Sequence, residues 1–398
     1  MQKKNIVVLV ALYVAATAIT YGALSVLHKS QSSSSVADQS ASDKATADAG
    51  DTSKLITIKP GETKDQQCPL NGKKYTASEV AAWGKRRPLA VMIENHPDAR
   101  PQSGLSRADL VFEAMAEGGI TRFMGVFYCD VQTEDVTLAP IRSARQYFWE
   151  LASGFNRPLY VHVGGANTPG PANALGHIGD AGWNGQNDMN QFSIGYPTFV
   201  RDYNRLGGAK DLATEHTMVT STEKLWVVAQ KRNWTNIAPV INPKSTSSDW
   251  KDGYKPWAFQ DGTPSQGSVN KISFAFWSGY TDFAVEWDYD AATNTYKRVM
   301  AGQPHIDQNT KKQIQVSNAV VMFAEEKGPI DDHKHMLYTL AGTGKALIFQ
   351  NGKAVAGTWS KADREGELTF LDETGAPVKF VRGETWISLV SATDKITY

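Results

Sequence analysis

The sequence has no excess of charge of either sign and very little cysteine. It contains 41 basic and 41 acidic residues, so the formal net charge is +0. A general nucleic-acid or membrane-surface binder would carry an excess of basic residues. We therefore predict no nucleic-acid partner, and any anion-binding surface must be local.

Motifs that identify common enzyme classes are also missing. There is no His-Glu-x-x-His zinc pair, no Gly-x-Ser-x-Gly elbow and no Cys-x-x-Cys pair. Residues 342–345 (GTGK) lack the spacing of a phosphate-binding loop and are predicted to form a hairpin turn. A Mg²⁺ site needs no strict spacing, so Glu94, Asp109 or Asp202 could supply one. The sequence assigns no metal ligand and no cofactor, and it leaves open whether the chain is an enzyme.

Only two cysteines are present, Cys68 and Cys129. Two are too few for a disulfide scaffold, although an extracytoplasmic compartment would permit one disulfide between them. Two unpaired thiols that behave as small apolar residues are the alternative, and the sequence does not decide between the two.

Charged residues are absent from residues 6–27, which follow a short basic start. At ~1.5 Å per residue this segment can cross a bilayer core of ~30 Å, so residues 1–28 are predicted to contain a transmembrane anchor. The basic flank predicts a single span of the plasma membrane with everything after it outside. A cleaved signal peptide is the alternative. The apolar segment is longer than a typical signal-peptide core, however, and no small-x-small site directly follows it.

Composition and strand spacing divide the rest of the chain. Residues 29–66 are mostly Ser, Ala, Asp and Thr and predict a disordered tether. We predict an α+β fold, with an α/β domain at 67–248, a linker at 249–270 and a β-rich sandwich or partial barrel at 271–398. Within the last region Asn351-Gly352 predicts a hairpin turn. Five tryptophans of the second half could form a glycan-binding platform, although core packing is favoured. They are Trp257, Trp277, Trp287, Trp359 and Trp386.

Polar side chains gather between residues 89 and 145. The apolar run 89–93 predicts a buried strand that ends in Glu94, Asn95 and His96, an arrangement typical of sites in α/β sheets. Residues 110–115 and 121–129 are predicted strands joined by a glycine turn, with a helix capped by Ser106 as the alternative for the first, and residues 136–141 are the predicted hairpin partner of the second. A helical pattern follows, which places Arg142 and Arg145 on its first turn.

These residues define the candidate ligand-binding site. Two arginines at i and i+3 on a helix can form a fork for a phosphate or carboxylate. The alternative is a structural ion network in which they pair with glutamates. His216 could join Glu94 and His96, just before a helix that Thr220 and Glu223 could start as a capping box. The primary candidates are Glu94, Asn95, His96, Arg100, Arg122, Arg142 and Arg145, and the second-tier candidates are Glu113, Glu117, His162, Asp202 and His216.

Specific sequence strings occur in both halves of the chain. The first half carries RPLAVMIENHPDARPQSGL at residues 87–105, with further strings at 68–72, 108–113, 117–123 and 140–145. The second half has such strings at residues 286–290, 296–298, 342–345, 351–353 and 383–387. In these strings the chain resembles the YerB-like family of bacterial lipoproteins, whose two domains have no characterised function. The resemblance implies the two-domain fold and covers nearly everything after the tether. Many family members have a lipobox cysteine, whereas here no cysteine precedes Cys68, so the resemblance does not extend to lipid anchoring.

Two functional classes follow from these observations. The first is a ligand-binding or scaffold module of the cell envelope whose partner is an anionic envelope ligand or an envelope protein. The second is an envelope enzyme acting on a phosphate-bearing or glycan substrate, because the strand and arginine layout of residues 121–145 is similar to that of LytR-CpsA-Psr transferases. The first is favoured, since no nucleophile and base occur at a recognisable spacing, whereas a charged pocket suffices for binding.

Overall fold

The computed structural model describes residues 53–238, 248–265 and 267–398, and within them strands greatly outnumber helices. The helices are α1 (Ala77–Trp83), α2 (Gln146–Ser153), α3 (Ala174–Asp180), α4 (Gln191–Ile194) and α5 (Thr222–Lys231). Short 3₁₀ turns occur at Pro97–Ala99, Leu105–Arg107, Thr214–His216, Trp250–Gly253 and Thr281–Phe283.

The strands of the first half are β1 (Gln66–Gln67), β2 (Lys74–Tyr75), β3 (Leu89–Glu94), β4 (Leu110–Glu117), β5 (Ile120–Phe127), β6 (Thr137–Leu138), β7 (Leu159–His162), β8 (Asp188–Asn190), β9 (Val200–Arg201), β10 (Met218–Ser221) and β11 (Ile237–Ala238). Those of the second half are β12 (Ser248–Asp249), β13 (Ala258–Gln260), β14 (Lys271–Phe274), β15 (Val285–Asp290), β16 (Thr295–Met300), β17 (Gln303–Pro304), β18 (Gln315–Val316), β19 (Asn318–Lys327), β20 (Leu337–Thr339), β21 (Gly342–Gln350), β22 (Lys353–Lys361), β23 (Leu368–Asp372), β24 (Lys379–Val381) and β25 (Thr385–Ser391).

One 11-stranded mixed sheet runs through both halves of the chain. Its order is β23-β22-β21-β19-β25-β4-β5-β3-β7-β8, with β20 beside β19. The halves join where β25 pairs in parallel with β4, in the register Thr385 to Leu110. A five-stranded sheet of β14 to β18 belongs to the second half alone. Because the joining strands are buried along all but their last residues, the described residues share one apolar core.

Local sequence signals explain the two hairpins that were predicted. Gly118 and Gly119 both have positive φ, which is the backbone that a tight turn between β4 and β5 requires. Asn351 and Gly352 also have positive φ and connect β21 to β22. The strand predicted at residues 110–115 is therefore present and extends to Glu117, and the asparagine-glycine hairpin is confirmed.

Three local predictions are wrong. Residues 136–141 are not the hairpin partner of β5, because β6 pairs with β10 in the register Leu138 to Thr220. Residues 342–345 are not a turn but the start of β21, since the chain already reverses between β19 and β20, and β20 and β21 both run antiparallel to β19. Helix α5 is present, but its N-cap is Ser221, whose hydroxyl accepts from the Lys224 N–H, and not Thr220.

Cys68 and Cys129 form a disulfide, which resolves the alternatives that the sequence left open. Because the sequence contains only these two cysteines, neither has a free thiol. The bond ties the segment before β2 to the end of β5. Both cysteines are buried.

The anchor predicted at residues 6–27 and most of the predicted tether lie outside the described residues. Within the described ranges, no helix is both long and apolar enough to span a bilayer. Residues 53–66 contact the folded part: the Ile56 N–H donates to the Gln132 carbonyl at 3.0 Å, and the Glu62 carboxylate accepts from the Ser78 N–H at 2.6 Å. The domain boundaries given above stay a prediction.

Candidate functional site

The end of strand β3 meets two other segments of the first half. The Arg142 N–H donates to the Met92 carbonyl, and the Ile141 N–H donates to the Met218 carbonyl, both at 2.9 Å. Residues 139–142 therefore lie between the end of β3 and the start of β10. This packing brings Arg142 and His216 to Glu94, although these residues are far apart in the sequence.

Glu94, His96, Arg142 and His216 form what we call the histidine cluster. The buried Glu94 carboxylate contacts His216 Nδ1 through Oε2 at 2.9 Å and Arg142 Nε through Oε1 at 3.2 Å. The His96 ring stacks on the His216 ring, with centroids 4.9 Å apart and planes 20° from parallel. Side chains of His96 and Arg142 are 34% and 29% exposed, so the cluster opens to solvent on one side.

Sequence reasoning missed one residue that supports the cluster, Arg205. Its guanidinium donates to the carbonyls of His216, Pro101 and Ala99, with Nε 2.7 Å from the His216 oxygen. It thereby fixes the loop that carries His216 against the turn that follows His96. Nothing in the local sequence around Arg205 distinguishes it from an ordinary surface arginine.

Arg122 and Arg145 belong to a different group, the Glu117 network. Glu117 Oε1 accepts from Arg122 at 2.6 Å, while Oε2 accepts from two nitrogens of Arg145 at 2.9 and 2.7 Å. Helix α2 begins at Gln146, with Arg145 as an extended N-cap and Arg142 outside the helix. The predicted fork of two arginines on the first turn is therefore wrong, because each arginine turns to a different glutamate.

The Glu117 network predicts acid sensitivity. Burial alone would raise the pKa of Glu117, but the charges of Arg122 and Arg145 outweigh it and lower the pKa to about 2. A carboxyl group whose pKa is lower in the folded than in the unfolded protein stabilises the fold. This stabilisation is complete at pH values above the unfolded pKa of 4.5 and is lost as the pH falls through the folded pKa. We expect up to about 3 kcal/mol of the free energy of unfolding to be lost between about pH 4.5 and pH 2. Urea unfolding across this range measures it, and Glu117→Gln should flatten the slope; equal slopes in both proteins would refute the assignment.

Asn95, Arg100 and Glu113 lie in a third, deeper group that reaches the second half of the chain. Glu113 Oε2 accepts from Arg298 at 2.6 Å, and both side chains are 0% exposed. Gln102 connects this group to the end of β3: its amide donates to Asn95 Oδ1, and its oxygen contacts His305 Nε2, both at 2.9 Å. Arg100 Nε also donates to Asn95 Oδ1, at 3.1 Å. We call this group the central network, and Arg298 and His305 are members that sequence reasoning missed.

The remaining candidates do not join these groups. His162 is buried, with Nε2 2.7 Å from Asp188 and Nδ1 2.7 Å from the Gly164 carbonyl, so both ring nitrogens are occupied. Asp202 is exposed and caps the Asn204 N–H. Asp109 is buried and accepts from the Tyr128 and Cys129 N–H groups. Among the described residues, Glu94, Asp109 and Asp202 do not come together as metal ligands.

The tryptophans of the second half do not form an exposed platform. Trp287, Trp359 and Trp386 are at most 2% exposed, and Trp257 and Trp277 are partly buried against the core. Their packing agrees with the core interpretation that the sequence favoured.

Comparisons with known proteins match two regions of the chain to one family. Residues 75–235 match the family described as "Protein of unknown function (DUF3048) N-terminal domain", and residues 272–387 match its C-terminal domain. The chain is 31% identical over 338 residues to "Putative lipoprotein YerB" of Bacillus subtilis (strain 168), and the match covers 84% of this chain and 89% of that protein. The crystal structure of YerB protein from Bacillus subtilis matches with a TM-score of 0.65 at 28% identity, covering 84% of this chain and 100% of that one. The chain therefore belongs to the YerB-like family.

Proposed function

We propose that this protein is an extracytoplasmic binding module of the bacterial cell envelope and that the histidine cluster binds an anionic group of its ligand. The observation that carries the proposal is the partly exposed Arg142 side chain beside the stacked His96 and His216 rings. The Arg142 guanidinium and the Nε2–H of His96, whose Nδ1 is an acceptor, are N–H donors at a solvent-open edge and can bind a phosphate or carboxylate. Glu94 holds Arg142 and His216 from the buried side, and the His216 ring stacks on His96, so the donors are positioned before a ligand arrives.

Compartment and anchoring are part of the proposal. A buried disulfide is typical of proteins outside the reducing cytosol, and the Bacillus relative is named as a lipoprotein. Here both cysteines are used in the disulfide, so a lipidated cysteine is not available within this sequence. We therefore propose that the uncharged segment at residues 6–27 anchors the protein at the plasma membrane and that the tether places the folded part outside.

An envelope enzyme acting on a phosphate-bearing or glycan substrate is the second candidate. It is favoured by the contact between Glu94 and His216 Nδ1, because a carboxylate that orients an imidazole is a common general-base arrangement. In the part of the chain that the structure describes, however, no Ser, Thr or Cys side chain hydrogen-bonds to His216. Binding is therefore the simpler use of the cluster.

The binding proposal is tested by replacing Arg142. We expect Arg142→Ala to weaken binding of inorganic pyrophosphate at least about tenfold, since one charge-assisted contact contributes about 1.5 to 3 kcal/mol. Calorimetry on the detergent-solubilised full chain in metal-free buffer measures the affinity. The thermal midpoint should change little, because Arg142 is partly exposed and the buried Glu94 carboxylate keeps its contact with His216.

Arg157 provides a matched control for this test. Its side chain is 20% exposed and pairs with one carboxylate, that of Glu365, outside the cluster. Arg157→Ala should bind pyrophosphate as the unaltered protein does. Equal binding by the Arg142 and Arg157 variants, or no binding by the unaltered protein, would contradict the proposal.

A further inference from the structure

Three potential metal ligands meet at the exposed side of the histidine cluster. Single donor atoms of His96, Asp98 and His216 all lie within 4.8 Å of one another. His96 Nδ1 and Asp98 Oδ2 are 3.6 Å apart, close to the ~3.4 Å that separates two ligands of a tetrahedral zinc ion at bond lengths of about 2.0 to 2.2 Å. At separations of up to 4.8 Å the donors must still move closer together, through side-chain rotation, to bind one ion.

The protonation pattern of the two imidazoles suits metal binding. His96 Nδ1 accepts a hydrogen bond from the Asp98 N–H at 3.2 Å, so this nitrogen carries a lone pair and not a proton, and a bound metal ion would replace that N–H as its partner. His216 Nδ1 contacts the Glu94 carboxylate at 2.9 Å, which favours a proton on Nδ1 and leaves Nε2 as the donor. Metal-bound histidines commonly have such a carboxylate behind them, which fixes the ring and raises its basicity.

We propose that His96, Asp98 and His216 form a site for a divalent ion of the zinc class, with Glu94 positioning His216. Two imidazoles and one carboxylate suit Zn²⁺ better than Mg²⁺ or Ca²⁺, which prefer oxygen ligands throughout. Three protein ligands leave the fourth tetrahedral position open, and the 74% exposure of the Asp98 side chain lets solvent reach the site.

The biological role of the metal site rests on the proposed function, whereas the presence of the site does not. An ion bound beside Arg142 would add positive charge where the cluster receives an anionic group, and its open position could take a ligand oxygen directly. Zinc binding itself does not require that ligand. Each idea can therefore fail without the other.

Calorimetric titration of ZnCl₂ into the full-length protein tests the site. The protein carries no histidine tag, is treated with EDTA and is then exchanged into metal-free buffer. We expect one Zn²⁺ per chain, and at least about tenfold weaker binding after His96→Ala or Asp98→Asn. His333, an exposed histidine outside the cluster, gives the matched control His333→Ala, which should bind zinc normally. Mg²⁺ should not compete.

Asp98→Asn keeps the test valid if a histidine variant is unstable, because this exposed side chain can change without loss of packing. Absence of zinc binding in the unaltered protein, or unchanged affinity in the His96 and Asp98 variants, would overturn the site. Zinc binding without pyrophosphate binding in either metal state would support the metal site and refute the proposed function. Pyrophosphate binding to metal-free protein, together with no zinc binding, would support the proposed function and refute the metal site.

Discussion

Replacing Arg298 with alanine should lower the free energy of unfolding by about 3 to 5 kcal/mol, the usual cost of removing one partner from a buried ion pair. Arg298 and Glu113 are both 0% exposed, and their contact of 2.6 Å joins the second half of the chain to β4 of the first. Without the guanidinium, the Glu113 carboxylate would stay buried and, among the described residues, would keep the hydrogen bonds from Thr121 and Trp386.

The surroundings of Arg298 add to this cost. Its guanidinium carbon lies 4.3 Å from the centroid of the Trp386 ring and 5.0 Å from that of Trp287, so the cation lies against two aromatic faces. Its Nε also donates to His305 Nδ1 at 3.1 Å. Alanine would leave a cavity between the two tryptophans and remove the donor that His305 accepts from.

Urea unfolding followed by tryptophan fluorescence measures this effect. Lys271→Ala is the control, because Lys271 makes an ion pair with Glu286 in which the two side chains are 56% and 38% exposed, and it should cost at most about 1 kcal/mol. The double variant Arg298→Met with Glu113→Leu should be less destabilised than the sum of the single variants, because it leaves no charge unpaired. A loss below about 1 kcal/mol for Arg298→Ala would show that the pair does not support the fold.

The sequence predicted the elements whose signals are local. The apolar run at 89–93 is β3, and the glycine pair and the asparagine-glycine pair are turns. Each of these depends on a few consecutive residues, because a positive φ or an alternating pattern is set by the residues themselves.

Pairings between distant segments were not predictable in the same way. The parallel pairing of β25 with β4 joins residues about 275 positions apart in the register Thr385 to Leu110, and no local pattern encodes it. The same reason explains why β6 pairs with β10 and not with β5. Apolar alternation shows that a strand is buried, but not which strand lies beside it.

In the candidate site, too, some contacts were predictable from the sequence and others were not. His216 was expected to be able to join Glu94 and His96, and the structure places the three together. The partners of the arginines could not be assigned from the sequence, since Arg142 and Arg145 are three residues apart but bind Glu94 and Glu117 respectively. Their separation follows from the extended backbone at Arg145, which precedes the helix.

Removing the disulfide is the second change with a large expected effect. Replacing Cys68 and Cys129 together with alanine should lower the free energy of unfolding by about 4 kcal/mol. The bond closes a loop with a sequence separation of 61 residues, and chain-entropy estimates give about 3 kcal/mol for a 15-residue loop and about 4.7 kcal/mol for a 100-residue loop. The loop contains β3, β4 and β5, so its closure restricts the unfolded chain around the central strands of the large sheet.

Reductant separates the contribution of the bond from that of the substitutions. Urea unfolding of the unaltered protein with dithiothreitol should show the same loss as the double alanine variant, because in both cases the unfolded chain is no longer cross-linked. Dithiothreitol should not change the double variant, which has no cysteine left to reduce. The double alanine variant removes only two buried sulfur atoms, so most native packing contacts should remain. A much larger loss of unfolding free energy in the variant than in the reduced protein would therefore assign the difference to packing. A loss below about 1 kcal/mol in both would mean that the unfolded chain already holds these segments close together, and that the disulfide does not stabilise the fold through the entropy of the unfolded state.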